Sequence, residues 1–456
     1  MSFSMRFLQI TLLIFLLSLV QVNLATAIPE RIDINGSRIE GVPYVWQRFN
    51  GLCNPASLTS ILLYYGANVS LESVLDLSGA SWGFMYLRRD PMWLLSLGLL
   101  SSQLEDIKYL TDSLGFKWTI YSASSQLIFA ARRLGIEAIK IQNFTQAWQL
   151  LKLNIDQGNP VQLSVDPFFL PPKDYDFLRE LKLIGGGHAV IAIGYNSTSV
   201  TIMDPGIGVF GDYYGFPPPE RCVYSVSLPR FYMAWRGRDF YMGVFKPLKT
   251  VGKVFENTLE RIHDKLDPPL SLRGVYPCRY RFWSLGYEAF KDFAEDVEPE
   301  NFETLLLSWL EMFGGDAGQL ASLIENITHP LVSYLTLAWH LLNYSLVDLS
   351  GFVDKFPRNL SILIQELSLA VSDLGSLSDD YTLIYPMGGN RSRYTLVDAA
   401  FIKIAKALRK GFSVAQAIRI ADFELRKLSM VLGSVSSHLK VIAKLCSLKF
   451  ILLSSR

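Results

Sequence analysis

The chain has 456 residues, with 43 Lys+Arg against 42 Asp+Glu; half of it is hydrophobic and 19% is charged. That balance excludes a disordered chain, which is poorer in apolar residues and richer in charge, and a nucleic-acid binder that reads phosphates through a basic excess. The length suits two or three domains that bury a core without disulfide staples, and the four cysteines contain no Cys-x-x-Cys spacing for zinc.

Residues 1–27 carry one charge, Arg6, then an apolar run that closes on Ala25-Thr26-Ala27. This is the three-part pattern of a signal peptide cleaved after Ala27. The alternative is retention as a membrane anchor, the one way the chain is expected to meet a membrane. Arg6 is the only charge in the segment, so the mature chain has 42 positive and 42 negative residues. Asn-x-Ser/Thr sequons at Asn35, Asn68, Asn143, Asn196, Asn326, Asn343, Asn359 and Asn390 agree with a glycosylated protein that is secreted or held at the cell surface.

Residues 28–248 read as a mixed α+β domain. GLCNPASLTSILLYYG predicts a turn and one amphipathic helix, with apolar positions Ala56, Leu58, Ile61, Leu62 and Tyr65 and a stop at Gly66. Helical patterns follow over Met92–Leu114 and Ser124–Leu134. Strand-like runs come next: KWTIY, IEAIKI, PVQLSV, HAVIAIGY and SVTIMD, the last two at hairpin spacing around Asn196-Ser197-Thr198.

From a boundary near Lys249 the strands stop and residues 249–456 predict an all-α domain. Its helices are expected over Val251–His263, Phe302–Phe313, Leu331–Val353, Leu360–Leu374, Leu396–Lys410, Val414–Val431 and Val435–Leu453. The stretch Leu331–Leu349 is apolar but holds His340 and Asn343, so it reads as a buried helix rather than a membrane span.

Cys53 precedes Asn54-Pro55, and proline favours the first turn of a helix. The thiol therefore belongs at a helix N-terminus, where the dipole and free amides favour the thiolate. Gln47, six residues upstream, can share an oxyanion hole with the Cys53 amide. His188 follows Gly185-Gly186-Gly187 at the start of a strand and can take the thiol proton. Asp204 ends the next strand, and strand pairing can bring its carboxylate to the imidazole. Read singly, these are a buried thiol, a surface glutamine, a core histidine and a turn aspartate. The joint order Cys…His…Asp suits a papain-like arrangement.

These residues carry a resemblance. The segment Gln47–Gly66, LSGASWGFMY, Asp166 with Leu170-Pro171, GGGHAVIAIGYN and VTIMDPG resemble papain-like cysteine enzymes of the bacteriocin-leader (double-glycine) peptidase type. They are more closely similar to the N-terminal domain of BtrH-type butirosin-biosynthesis acyltransferases. MGGNRSRYTLVDAAF (Met387–Phe401) is similar to a motif in the helical domain that often follows that type. The resemblance implies Cys53 as nucleophile, His188 as general base and acid, Asp204 as orienting acid and, from papain-like enzymes, Gln47 as oxyanion donor. The peptidases usually have glycine after the cysteine, where this chain has Asn54.

The expected function is therefore thiol acyl transfer at an amide, peptide or thioester carbonyl, with a peptide, amide or acyl-donor substrate and no metal or organic cofactor. Water as acceptor makes a peptidase or amidase, and an amine makes an acyltransferase. The rival is a non-catalytic cell-surface or binding protein with a papain-like shell, in which Cys53 and His188 stand apart or Cys53 is sealed. Cys222 and Cys278 are the candidate disulfide, with two free thiols as the alternative, and Cys446 has no evident partner. His263, His329, His340 and His438 show no metal-ligand spacing. Tyr213, Tyr214 and Phe216 with Pro217-Pro218-Pro219 are candidate cleft wall or packed loop. Arg391 and Arg393 near Gly388-Gly389 are a candidate anion contact or a solvated loop.

Overall fold

The structure is a computed structural model that describes residues 36–87, 104–209, 215–248, 254–268, 283–352, 357–377 and 396–447. The signal segment 1–27, the sequons at Asn35 and Asn390, Tyr213, Tyr214, Cys278, Arg391 and Arg393 lie outside these residues, as does most of the Met387–Phe401 motif. The side chains of His329 and Asn359 are likewise not described.

In chain order the first region contains β1 (Ser37–Arg38), α1 (Cys53–Tyr64), α2 (Leu71–Ser78), β2 (Met85–Leu87), α3 (Leu104–Ser113), β3 (Phe116–Ser122), α4 (Ser125–Arg133) and β4 (Glu137–Lys140). It continues with α5 (Phe144–Asp156), β5 (Val161–Val165), α6 (Asp176–Glu180), β6 (His188–Tyr195), β7 (Ser199–Met203), α7 (Pro219–Cys222), β8 (Val223–Ser227), α8 (Leu228–Arg236) and β9 (Met242–Pro247).

Alternation makes the sheet: β3 buries Phe116, Trp118, Ile120 and Ser122 and turns Lys117 outward. The strands lie in the order β4-β3-β9-β5-β6-β7-β8. The β3–β4 pair is parallel and the others are antiparallel. β1 pairs with the far end of β6, at Gly194 and Tyr195, beyond the reach of β5. Helix α1 differs from the amphipathic expectation. Pro55 through Leu62 are all buried, because the helix runs through the interior with the sheet on one side and helical elements on the other.

The second region holds α9 (Val254–Leu266), β10 (Trp283–Leu285), α10 (Tyr287–Asp296), α11 (Pro299–Met312), α12 (Ala317–Ser350), α13 (Pro357–Gly375), α14 (Leu396–Arg409) and α15 (Val414–Ser447). Two expectations are corrected. Strands do not stop at Leu248, since β10 pairs antiparallel with β2; three residues are too few to show alternation, and their partner lies far away in sequence. The two helices expected around Gly433 are one. Leu428, Val431, Leu432, Val435 and Leu439 form a continuous buried stripe, and that packing outweighs the roughly 1 kcal/mol that a mid-helix glycine costs. Leu331, Leu335, Ala338, Leu342 and Leu349 of α12 sit in the helical core. Among the described residues no helix is long and apolar enough to cross a membrane.

The two regions share packing. Trp82, Phe84 and Tyr86 join the helical core, and the Tyr86 hydroxyl donates to Asp296 at 2.9 Å. A third cluster joins Phe49, Leu52, Ala56, Leu71, Leu75 and Ala80 to Leu341 and Tyr344 of α12. This cluster lies directly behind the turn that leads into Cys53. There Phe49 packs on His340 with ring centroids 4.0 Å apart, and Arg48 lies 5.3 Å over the Tyr344 ring.

Candidate active site

Cys53 is the first residue of α1, with Leu52 as the preceding cap, so its thiol stands at the helix's positive end. His188 opens β6, and Asp204 follows the last residue of β7. The hairpin register pairs Ile191 with Met203, which brings these two ends to the same edge. His188 Nε2 meets Asp204 Oδ1 at 2.7 Å, with both side chains buried. The Cys53 thiol lines the same cleft as this imidazole and is coupled to it electrostatically. With Nε2 committed to Asp204, Nδ1 is the ring nitrogen left for sulfur.

Asp204 is saturated with donors. The Tyr224 hydroxyl donates at 2.6 Å, the Tyr175 hydroxyl at 2.9 Å and the Gly206 amide at 2.8 Å. A buried carboxylate held by so many donors remains an anion. Burial alone raises the Asp204 pKa, but the His188 charge and hydrogen bonds from His188, Tyr224 and Gly206 bring it below the ordinary carboxyl value. For His188, burial disfavours the cation, yet Asp204 and Cys53 carry the pKa up to about 10. For Cys53, burial pushes the thiol up. The His188 hydrogen bond and charge, with the Ala189 and Asn54 amides, pull it below its usual value. The lowered thiol and the raised imidazole both favour a thiolate–imidazolium pair, oriented by a carboxylate and titrating as one coupled unit.

Two glycines make this approach feasible. A Cβ on Gly206 would stand 2.8 Å from His188 Cε1 and 2.7 Å from the Tyr175 hydroxyl. A Cβ on Gly187 would stand 2.8 Å from Arg238 Nη2. Asp166, which carries part of the family resemblance, fastens the glycine run: its Oδ2 accepts from the Gly185 amide at 2.7 Å and its Oδ1 from Phe168.

A cleft of about 450 Å³ opens over Cys53 and His188, walled by Asn54, Gln162, Ser164 and Arg238 among others. Gln47 is not one of its lining residues. It is buried beside the nucleophile turn, its backbone N–H donating to Pro205 O at 3.1 Å and its Oε1 lacking a hydrogen-bond partner. Asn54 is in the wall instead. Gln162 Nε2 donates to the Asn54 backbone carbonyl at 3.2 Å and to Asn54 Oδ1 at 2.8 Å. The carbonyl can only accept, which fixes both amide orientations and leaves Asn54 Nδ2 as a spare donor.

Residues 39–214 match the model of the Peptidase_C39 like family. The matched stretch includes Cys53, His188 and Asp204 and is similar to cysteine peptidase-type domains; the helical region follows it. Among curated proteins none matches the chain.

The other expected residues fall elsewhere. Cys222, expected opposite Cys278, is a free buried thiol that donates to Pro218 O at 3.4 Å. Phe216 packs edge-on against Tyr44 and Trp46, away from the cleft lining. Cys446 is buried in the helical core. His263 meets Ala443 O, and His438 meets Glu366 at 2.7 Å. Asn68, Asn143, Asn196 and Asn326 are exposed, and Asn343 is half-buried. The sequence reading missed Tyr175, Tyr224 and Gln162. Each reaches the site only through strand register or loop return, and none carries a local motif.

Proposed function

We propose that the protein is an exported thiol acyl-transfer enzyme. The observation that carries this reading is Cys53, at a helix N-terminus, sharing one cleft with an imidazole that a buried, donor-saturated Asp204 holds at 2.7 Å. The Cys53 thiolate attacks the substrate carbonyl carbon, forming a C–S bond and a tetrahedral oxyanion. The Cys53 backbone amide and a side-chain amide stabilise that charge, Gln47 by its spacing from the cysteine. Collapse breaks the bond to the leaving amine or thiol, which takes the proton from His188 and leaves a thioester on Cys53. Water or an amine then gives its proton to His188, attacks the thioester and frees the thiolate.

Water makes the protein a peptidase or amidase, the reading favoured by a signal peptide and an external location. An amine makes it an acyltransferase of the BtrH type. The rival binding-protein reading has Cys53 and His188 apart or Cys53 sealed under apolar side chains, and a cleft that both residues line speaks against it. The test is alkylation of Cys53 against pH, with trapping of an acyl-enzyme from a peptide and amide library. An activated thiol labels well below the ordinary cysteine pKa of about 8.5, and the trapped adduct disappears in Cys53→Ala. Labelling that rises only near that value, unchanged in His188→Ala, overturns the proposal.

A further inference from the structure

We propose that Arg238 is a specificity-determining residue that binds a carboxylate on the substrate beside the scissile carbonyl. This rests on the acyl-transfer reading of Cys53. Arg238 lines the cleft together with Cys53, Asn54 and His188, and among its described lining residues it is the one permanent cation. Its Nε donates to Ser164 Oγ at 3.2 Å. Its Nη2 lies over Gly187, the residue before His188, at a spot where any Cβ would come within 2.8 Å. Glycine at 187 thus admits the guanidinium to within one peptide unit of the acid–base residue.

Among the described residues Arg238 has no carboxylate partner, and Ser164 is its one side-chain hydrogen-bond partner. A half-buried guanidinium with unused planar N–H groups matches a carboxylate in bidentate fashion. The neighbouring Asp239 also lines the cleft, but it is exposed to water, which weakens its opposing charge.

The loop that presents Arg238 is held firmly. Arg238 N and Phe240 N both donate to Trp235 O, and Tyr241 N donates to Arg238 O. Asp239 O accepts from Ala123 N at 2.8 Å and Ser122 Oγ at 3.1 Å. Asp239 and Phe240 both take left-handed backbone conformations, φ 53° and 50°. Two consecutive non-glycine residues there carry strain, and strain of this kind persists where the surroundings enforce it. The result is a rigid mount for the guanidinium rather than a solvated surface arginine.

The carboxylate can come from a peptide C-terminus or an acidic side chain, and three alkylating probes separate the cases. N-iodoacetylglycine carries a main-chain carboxylate, N-iodoacetylisoglutamine a side-chain carboxylate, and N-iodoacetylglycinamide none. Cys53 labelling of the full chain is followed by intact mass at pH 7. In the wild type one or both acids are expected to label about tenfold faster than the neutral amide, the worth of a charged hydrogen bond. The faster acid identifies the source of the carboxylate. Arg238→Gln is expected to bring the acid-to-amide ratio to about one, and Arg238→Lys, which lacks the fork, to an intermediate value. Equal rates in the wild type overturn the proposal. So does an undiminished ratio in Arg238→Gln, which assigns the preference to the His188 cation, or, should that variant not fold, an undiminished ratio in Arg238→Lys. A neutral probe that labels wild-type Cys53 no faster than an ordinary thiol overturns the activated-thiol reading itself, a result separable from the ratio.

Discussion

Asp204→Asn tests the proposed chemistry most directly. In the wild type the carboxylate accepts from His188, Tyr175, Tyr224 and the Gly206 amide. An asparagine keeps the size but loses the charge, and its NH₂ cannot accept from those donors. Removing one partner of a buried ion pair costs about 3–5 kcal/mol. Even the lower end, set against about 1.4 kcal/mol per tenfold, shifts the thiolate–imidazolium form toward thiol–imidazole by about a hundredfold. The assay is the rate of iodoacetamide labelling of Cys53 from pH 4 to 10. In the wild type the thiol pKa is depressed and His188 is raised to about 10. Labelling should therefore be established below the ordinary thiol value, hold a plateau, and change again near pH 10 as the imidazolium loses its proton. In Asp204→Asn the rate at pH 6 should fall by about a hundredfold and the rise should move toward the ordinary thiol value of about 8.5. A variant that stays folded and labels at pH 6 like the wild type refutes the claim that Asp204 sustains the ion pair.

Gly206→Ala should push His188 and Tyr175 apart and lower turnover by about a hundredfold with little change in melting temperature; unaltered turnover would show that the ring can shift without loss. Gln47→Ala should lower kcat by about 10²–10³ with KM little changed if Gln47 is the oxyanion donor, and an unchanged kcat passes that role to Asn54 Nδ2. Asp76 accepts from Trp82 Nε1 and Ser345 between α2 and α12, and burial, with Asp348, raises its pKa to about 8. Since the folded form favours the neutral acid, its contribution to stability is full below the ordinary carboxyl pKa and is lost as pH rises through 8. Urea unfolding of Asp76→Asn should therefore show a flatter decline from pH 5 to 9 than the wild type, and an identical decline removes Asp76 as the cause. Tyr344→Ala strips the support behind the nucleophile turn and should cost about 3 kcal/mol in unfolding and slow Cys53 labelling; loss of stability with labelling unchanged would confine the contact to packing.

The sequence alone determined the local parts of this protein. Asn54-Pro55 marks a helix start, so Cys53 had to sit at an N-terminus. The β-rich run KWTIY and the hairpin spacing of HAVIAIGY and SVTIMD are local signals, and they located β3, β6 and β7. Because a hairpin's register follows from its turn, the meeting of His188 and Asp204 was legible as well. Other features depend on residues far apart in the chain and had no local signature. Tyr175 and Tyr224 close on Asp204 from a loop and from β8, and Gln162 turns Asn54 from across the sheet. β10 exists because β2 is there to pair with it, and α15 runs through Gly433 because the helical core covers both of its halves. Local hydrogen bonding sets periodicity, which a sequence displays. Burial and charge pairing depend on which distant surfaces meet, and only the folded chain decides that.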